Sequence, residues 1–490
     1  MKRILITIIS VVITATAIAQ ETHDAVTYSQ NIYQGGAKAQ AMGNAMGAVG
    51  GDMAATCINP AGQGLYRSSE LATTLSLQHA LVNSKYYGQN NPDYGTRATI
   101  PHFSYVMTNQ RSNTQRLRYT QFGIGLTRTN DFNYHSHAMG FNPNSSLIDH
   151  YLQQIDGVAY NEIKDRFPLT AFPAWDTYLI DTMSNNQGQL MYTSPVPQGN
   201  LHQDVETHSR GRSEEWTFAY SANFSNRFFL GASIGLTRIK HTLAKKHSEK
   251  VPSNYHDNDF RSWSFEESIR TSGTGVNFKV GAIYYPASWI RLGLSLHTPT
   301  RYSFEETVST ETTAYFTNQK YSCQPVDSHY SFALRTPAKA VGSLAFILPQ
   351  RGMISADVEY MDYGSAYFIS LDGYDYAPSN KDIAAAYSPA LNLRLGTEWM
   401  AGNIFLRGGL AYYGSPYGHG KTEEGTARLG LGFGLPISSI TTLDFAYSLT
   451  HQQSNYYPYL YYNANNNLAI EPIQHSKYVN QIAASIKLRF

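Results

Sequence analysis

The chain is predicted to be all-β: an antiparallel transmembrane barrel of about fourteen strands with long extracellular loops. Three observations lead there. From residue 68 onward, segments of about ten residues alternate apolar and polar side chains, the period of a strand whose two faces meet different surroundings. Short turns alternate with long polar loops, the asymmetry of outer-membrane barrels. After residue 20 no apolar stretch approaches the ~18 residues a spanning helix needs. A membrane crossing must then be made by a closed barrel, since only helices and closed barrels satisfy every backbone group in lipid.

The N-terminus, MKRILITIISVVITATAIAQ, places Lys2 and Arg3 before an apolar run and ends it at Ala17-Ile18-Ala19. Residues 1–19 therefore read as a secretory signal peptide, with the mature chain beginning at Gln20. Composition agrees with export to a membrane interface: 37 Tyr, 22 Phe and 38 Gly stand against only 15% charged residues. Tyr buries its ring and keeps its hydroxyl wet. Composition alone leaves a Tyr-rich secreted β protein equally open. A net charge of +1 gives no reason to expect nucleic acid. Cys57 and Cys323 are too few for a disulfide framework or a zinc site, and are expected as two buried free thiols at opposite ends of the molecule.

The strands follow in order, beginning near residues 69, 98, 117, 214, 227, 266, 289, 330, 352, 389, 403, 425, 440 and 478. In PALNLRLGTEWM, Leu391, Leu393, Leu395 and Trp399 share one face, while Asn392, Arg394 and Glu398 share the other. ISADVEYM sets Ile354, Val358 and Tyr360 against Asp357 and Glu359. A polar face of Arg, Asp, Glu and Gly fits a wet barrel lumen, with the apolar face toward lipid. Short turns fall at 226–228, 286–289, 349–352, 401–403 and 436–439. The last strand ends the chain on Phe490 after an apolar alternation through Ile482, Ile486 and Leu488, as outer-membrane barrels do.

Residues 132–212 are expected as the longest extracellular loop. Within it, Leu147, Ile148, Tyr151, Leu152 and Ile155 recur at helical spacing after a Ser cap, which predicts a short amphipathic helix over the outer mouth. The Tyr-dense stretch NYYPYLYYNANNN admits three readings: an interfacial girdle, a hydrophobic landing surface, or a packed loop.

Residues 28–66 are rich in Gly and Ala and precede the first strand. Their Met42-Gly43 and Met46-Gly47 pairs, the acidic Asp52 and the run Asn59-Pro60-Ala61-Gly62 resemble the hatch of the FadL/TodX family of outer-membrane transporters for long-chain fatty acids and other hydrophobic compounds. NFKVGAIYYPASWIRLGLSLHTPTRY at 277–302 and RTPAKAVGSLAFIL followed by ISADVEYMDYGS resemble it as well. The resemblance implies a barrel over 68–490 plugged from inside by a hatch at 20–67. It implies capture among the outer loops, passage into the lumen, and exit sideways through a gap at an inward kink of the third strand. That strand is RYTQFGIGLTRTN, whose lumen-side Gly123 and Gly125 become the lateral-gate candidates; packing is the other role open to them. Asn59, Pro60, Ala61 and Gly62 are expected to end the hatch and dock it on the wall. The implied partners are hydrophobic small molecules, outer-membrane lipid and lipopolysaccharide, and the barrel assembly machinery. No cofactor is implied, and a monomer in the bacterial outer membrane is expected.

Other readings compete. A water channel would also use Asn-Pro-Ala, but requires several apolar helices that the chain lacks. An outer-membrane lipase needs a nucleophile and base in hydrogen-bond reach, and the sequence is read as having neither a Gly-x-Ser-x-Gly pattern nor an ordered constellation. His135 and His137 in NYHSHAMG are candidates for metal or haem, with a solvated loop the plainer reading. A porin for hydrophilic solutes, or a haem- or hydrocarbon-binding receptor, remains the functional alternative. The hatch argues against an open pore, and fewer than fifty residues separate Gln20 from the first strand, too few for the large plug of an energy-coupled receptor.

Overall fold

Along Pro389–Ala401 the side chains of Leu391, Leu393 and Leu395 are about half exposed, at 51, 47 and 49%, whereas Asn392 and Arg394 are buried at 3 and 2%. This inversion of the soluble-protein rule identifies the outward face as the lipid face and the interior as the polar one. The computed structural model describes residues 18–111, 116–184, 190–417, 425–463 and 465–490. Residues 1–17, most of the expected signal peptide, lie outside them.

Fourteen strands close a single barrel. The first six are β1 (Glu70–Tyr86), β2 (Gln89–Gln110), β3 (Leu117–Asp131, continued by Tyr134–Asn142), β4 (Leu201–Phe224), β5 (Phe228–Lys250) and β6 (Phe260–Ala287). Three broken strands follow: β7 (Ile290–His297 and Arg301–Phe316), β8 (Val326–Arg335 and Lys339–Leu348) and β9 (Gly352–Asp362 and Tyr367–Ser370). The last five are β10 (Pro389–Ala401), β11 (Ile404–Tyr413), β12 (Thr426–Pro436), β13 (Thr441–Tyr456) and β14 (Ile473–Arg489). Each pairs antiparallel with the next, and β14 pairs with β1 from Glu70↔Arg489 to Lys85↔Gln474, which leaves no free sheet edge at the seam. The breaks in β7 and β8 lie side by side at Pro299 and Pro337, residues with no N–H to give a ladder.

The seven strands that start at the short-turn rim begin within one residue of expectation, at Glu70, Leu117, Phe228, Ile290, Gly352, Ile404 and Thr441. Those that start at the opposite rim mostly begin earlier: β2 at Gln89 rather than near 98, β4 at Leu201 rather than near 214. Their outer ends stand above the apolar band, where no lipid-facing apolar pattern marks them, and the buried inner face of β4 there is largely polar, with Gln203, Thr207 and Ser209. For the same reason Tyr134–Asn142 and residues 201–212, read as loop from sequence, form ladder with one another and extend the wall. The excursion between β3 and β4 is thus confined to residues 143–200.

That excursion carries α3 (Leu147–Ile155), whose N-terminus is a capping box. The Ser146 hydroxyl accepts from Ile148 N at 3.0 Å, and Asp149 accepts from Ser146 N at 2.7 Å. Its apolar stripe, Leu147, Ile148, Tyr151 and Ile155, packs with Phe260, Trp263 and Tyr459 as a lid over the mouth. Tyr459 settles one part of the Tyr-dense loop as packed structure: its hydroxyl meets Asn142, Ser145 and Gln203 within the lid. Among the described residues no helix is long and apolar enough to cross a membrane.

Candidate functional site

The N-terminal segment fills the short-turn half of the lumen. After helix α1 (Ile18–Thr27) come α2 (Ala37–Ala41) and two 3-10 turns, Met53–Cys57 and Pro60–Leu65. Its small residues let backbone lie on backbone. A Cβ on Gly231 of β5 would collide with the Pro60 carbonyl, and one on Gly409 of β11 with the Met42 backbone. Asn59 caps the second 3-10 turn by accepting from Ala61 N at 3.0 Å, while its amide donates to Gly47 O at 2.8 Å and to Ala282 O of β6 at 3.3 Å. Pro60 occupies the first turn position, Ala61 packs against Phe229 and Ile283, and Gly62 O accepts from Gly51 N at 3.1 Å. Cys57 is buried here and Cys323 is buried near the outer rim, both as free thiols.

Charge locks the same segment. Lys38 pairs with Glu398 at 3.2 Å, Glu398 with Arg407 at 2.5 Å, Arg407 with Asp444 at 2.6 Å, Asp444 with Lys487 at 3.1 Å, and Lys487 with Asp52 at 3.0 Å. The chain of pairs leaves the hatch, crosses β10, β11, β13 and β14, and returns to the hatch. Burial alone would raise the Asp52 carboxyl, but Lys487, His102 and the Ala54 N–H hold it well below the usual carboxylate range. Of these residues sequence reasoning singled out Asp52 and Glu398; the lumen parity of Arg407, Asp444 and Lys487 was the available signal for the rest.

The wall is interrupted in one place that matters. The β2–β3 ladder runs from Gln110↔Tyr119 to His102↔Thr127 and stops. Beyond Thr127 the β3 backbone turns to the hatch: Ile32 N donates to Thr129 O and Gln34 N to Arg128 O, each at 2.9 Å. Residues 89–99 of β2 keep their pairing with β1, and residues 89–101 have no ladder to β3 among the described residues. Pro101 and a register shift between Thr74 and Ser76 stand at the start of the break. Among the described residues two side-chain hydrogen bonds span it, one between Arg97 and Asn133 and one from the Asn91 amide to Met139 O at 3.4 Å.

Gly123 and Gly125 lie on the lumen side of β3 just below this break, in a part of the strand that is fully laddered on both sides. They touch the hatch: a Cβ on Gly123 would stand 2.7 Å from Gln63 Nε2 and 2.9 Å from Met53 Sδ, and one on Gly125 3.2 Å from Met53 Cγ. The break itself begins three residues past Gly125.

Above the hatch lies a cavity of about 1610 Å³. It touches α1 at His23 and Val26, the lid at Leu147 and Tyr151, the end of β13 at Tyr456, and the final loop at Tyr457 and Tyr459. It also reaches both edges of the break, through Gly95–Arg97 on β2 and Asn130–Ser136 on β3.

Two other sequence readings are revised. His135 and His137 belong to a strand: they face outward on β3, opposite His208 and Glu206 of β4. His137 Nε2 meets Asp204 Oδ1 at 2.9 Å, and potential ligand atoms of His137, Asp204 and Glu206 lie within 4.8 Å of one another. Gly231-Ala232-Ser233-Ile234-Gly235 spells the Gly-x-Ser-x-Gly pattern of hydrolases. Ser233 is buried in the middle of β5, however, and not in the strand-to-helix turn that exposes such a nucleophile.

No protein-family model matches the chain, and no curated protein matches it in sequence. Solved structures do match. A crystal structure of a Pseudomonas aeruginosa FadL homologue is similar with a TM-score of 0.56 at 12% identity, covering 94% of this chain and 100% of that one. The Pseudomonas putida toluene transporter TodX gives 0.54 at 13% identity over 93% and 98%. The Ralstonia pickettii toluene transporter TbuX gives 0.50 at 15% identity over 95% and 100%. The chain therefore has the FadL/TodX-family fold, and two of these three neighbours are described as toluene transporters.

Proposed function

We propose that this barrel moves hydrophobic molecules passively across the outer membrane, taking them beneath the lid and releasing them sideways between β2 and β3. One observation carries the reading: a single cavity touches the lid, the hatch and both edges of the interrupted ladder. A molecule in that cavity has the lumen plug below it and a wall opening beside it. Release to water would cost an apolar solute about 25 cal/mol per Å² of re-exposed surface, a loss that exit into lipid avoids. Gly123 and Gly125 then serve the exit indirectly, by letting Met53 and Gln63 lie against β3 at the foot of the opening. The Asn59–Gly62 turn holds the hatch in register with the wall. The neighbours named for toluene support the solute class, and long-chain fatty acids fit it equally. No enzymatic step is part of this reading.

The test is uptake of labelled oleate and labelled toluene by cells lacking their own long-chain fatty acid transporter, with a small sugar in parallel. Uptake of either apolar solute without sugar leakage is the expected result. Sugar leakage alone would replace this reading with a porin.

A further inference from the structure

The outward-facing rows of β4, β5 and β6 carry a cationic patch above the apolar band. On β4, β5 and β6 the outward-facing Trp216, Leu236 and Val276 are exposed and lie in one row, marking the upper edge of the apolar band there. The ladder places Glu214 beside Arg238 in the next row outward, Arg212 beside Lys240 in the row after it, and Arg210 and Arg270 on either side of Thr242 in the third. The intervening residues, Ser213, Ile239 and Thr271, are buried inside the barrel, which fixes the other set as external. From the spacings of a sheet, five cations occupy about 10 Å across the strands and about 14 Å along them.

Little in the protein neutralises them. Glu214 is shared between Arg212 at 2.9 Å and Arg128 at 3.2 Å. Glu305, opposite Ser272 on β7, bounds the patch on its far side. Arg210, Arg238, Lys240 and Arg270 make no ion pair among the described residues. Arg212 and Lys240 are direct cross-strand neighbours, an arrangement of like charges that destabilises a sheet unless an anion lies between them.

We propose that this patch binds the phosphate groups of the outer-leaflet glycolipid, lipid A. Its height argues for a lipid over a soluble anion. The cations begin one row above Trp216 and Leu236, so a ligand with acyl chains lays those chains on the apolar band while its phosphate meets the guanidinium groups. Arginine suits that contact because its planar fork gives a phosphate two parallel hydrogen bonds. The same five residues are among those that border the cavity of about 1610 Å³, so the experiment reads lipid retention and not uptake.

The experiment measures lipid A retained by the purified, folded barrel, using bis-phosphorylated lipid A, the same lipid with its phosphates removed, and inorganic phosphate as competitor. Wild-type protein should retain the phosphorylated lipid at least tenfold better than the dephosphorylated one. Arg212→Gln with Lys240→Gln and Arg270→Gln should abolish that preference, and Lys240→Gln alone should weaken it. Arg351→Gln, on a turn at the opposite rim, should leave it intact. Equal retention of the two lipids by the wild type, or displacement by millimolar inorganic phosphate, would overturn the proposal; the second result would mean a soluble-anion site.

Discussion

Lys487, three residues from the C-terminus, holds Asp52 of the hatch at 3.0 Å and Asp444 of β13 at 3.1 Å, with all three side chains buried. A buried charge stripped of its partner costs about 3–5 kcal/mol, far more than an exposed pair is worth. Lys487→Met should therefore leave Asp52 and Asp444 facing each other without their shared cation and loosen the hatch while the strand ladder persists. The readouts are sugar leakage and protease cleavage within residues 37–66, both expected to rise. Asp52→Asn should do the same to a smaller degree. Because the Asp52 value is depressed, its contribution is present above the usual carboxylate range and is lost only in strong acid; the excess cleavage of Asp52→Asn over wild type should therefore be the same at pH 5 and pH 8.

The Gly–backbone contacts predict a different failure. Gly409→Val puts a branched side chain into the Met42 backbone, and Gly231→Val does so at Pro60. Overpacking of this kind costs typically about 1–3 kcal/mol. Each variant should still form the barrel, judged by resistance to detergent unfolding, but with a displaced hatch and raised conductance. Normal conductance in both would show that the hatch does not rest where these glycines are.

These two cases show what was legible. The period-2 alternation revealed that Arg394 and Glu398 face the lumen, because parity is a property of the chain alone. It could not reveal that Glu398 meets Arg407 and Lys38, since such pairing depends on the curvature of the closed barrel. Rim positions at the short turns were legible to a residue, because lipid imposes the apolar pattern up to that rim. The opposite rim was not: residues 89–97 and 201–212 are strand above the lipid-facing band, where no outward apolar pattern marks them. The break in the wall left one trace, Pro101, but its position past Gly125 required the β3 backbone to be seen pairing with Ile32 and Gln34.

For the exit, Gly123→Val with Gly125→Val should push Met53 and Gln63 off β3 and lower apolar uptake several-fold, while the ladders of β3 with β2 and β4 stay formed. Unchanged uptake by a folded double variant would remove these residues from the route. Arg97→Ala should act in the other direction, since it deletes a contact across the break without touching either ladder; Asn133 is left in place because its side chain also bonds Gly211 N and O of β4. Faster uptake, or faster entry of a lipid-soluble fluorescent probe, is the expected outcome.

The lid carries a pH dependence of its own. Burial pushes the Asp149 carboxyl up to about 7, with Glu249 adding to the rise and the Ser146 N–H opposing it. A carboxyl that binds its proton more tightly when folded than its ordinary value of 3.8 makes the folded lid lose stability as pH rises between those two values. Amide hydrogen exchange across residues 147–155, corrected for the intrinsic rate, should therefore quicken from pH 5 to pH 8. Asp149→Asn keeps an oxygen that can accept from Ser146 N but cannot ionise, so its exchange should be nearly level over that range. Ser146→Ala, which removes the hydroxyl between Ile148 N and Glu249, should instead speed exchange at every pH, by about 1 kcal/mol for a lost helix cap. If wild type and Asp149→Asn show the same pH profile, the carboxyl is not what ties the lid to pH.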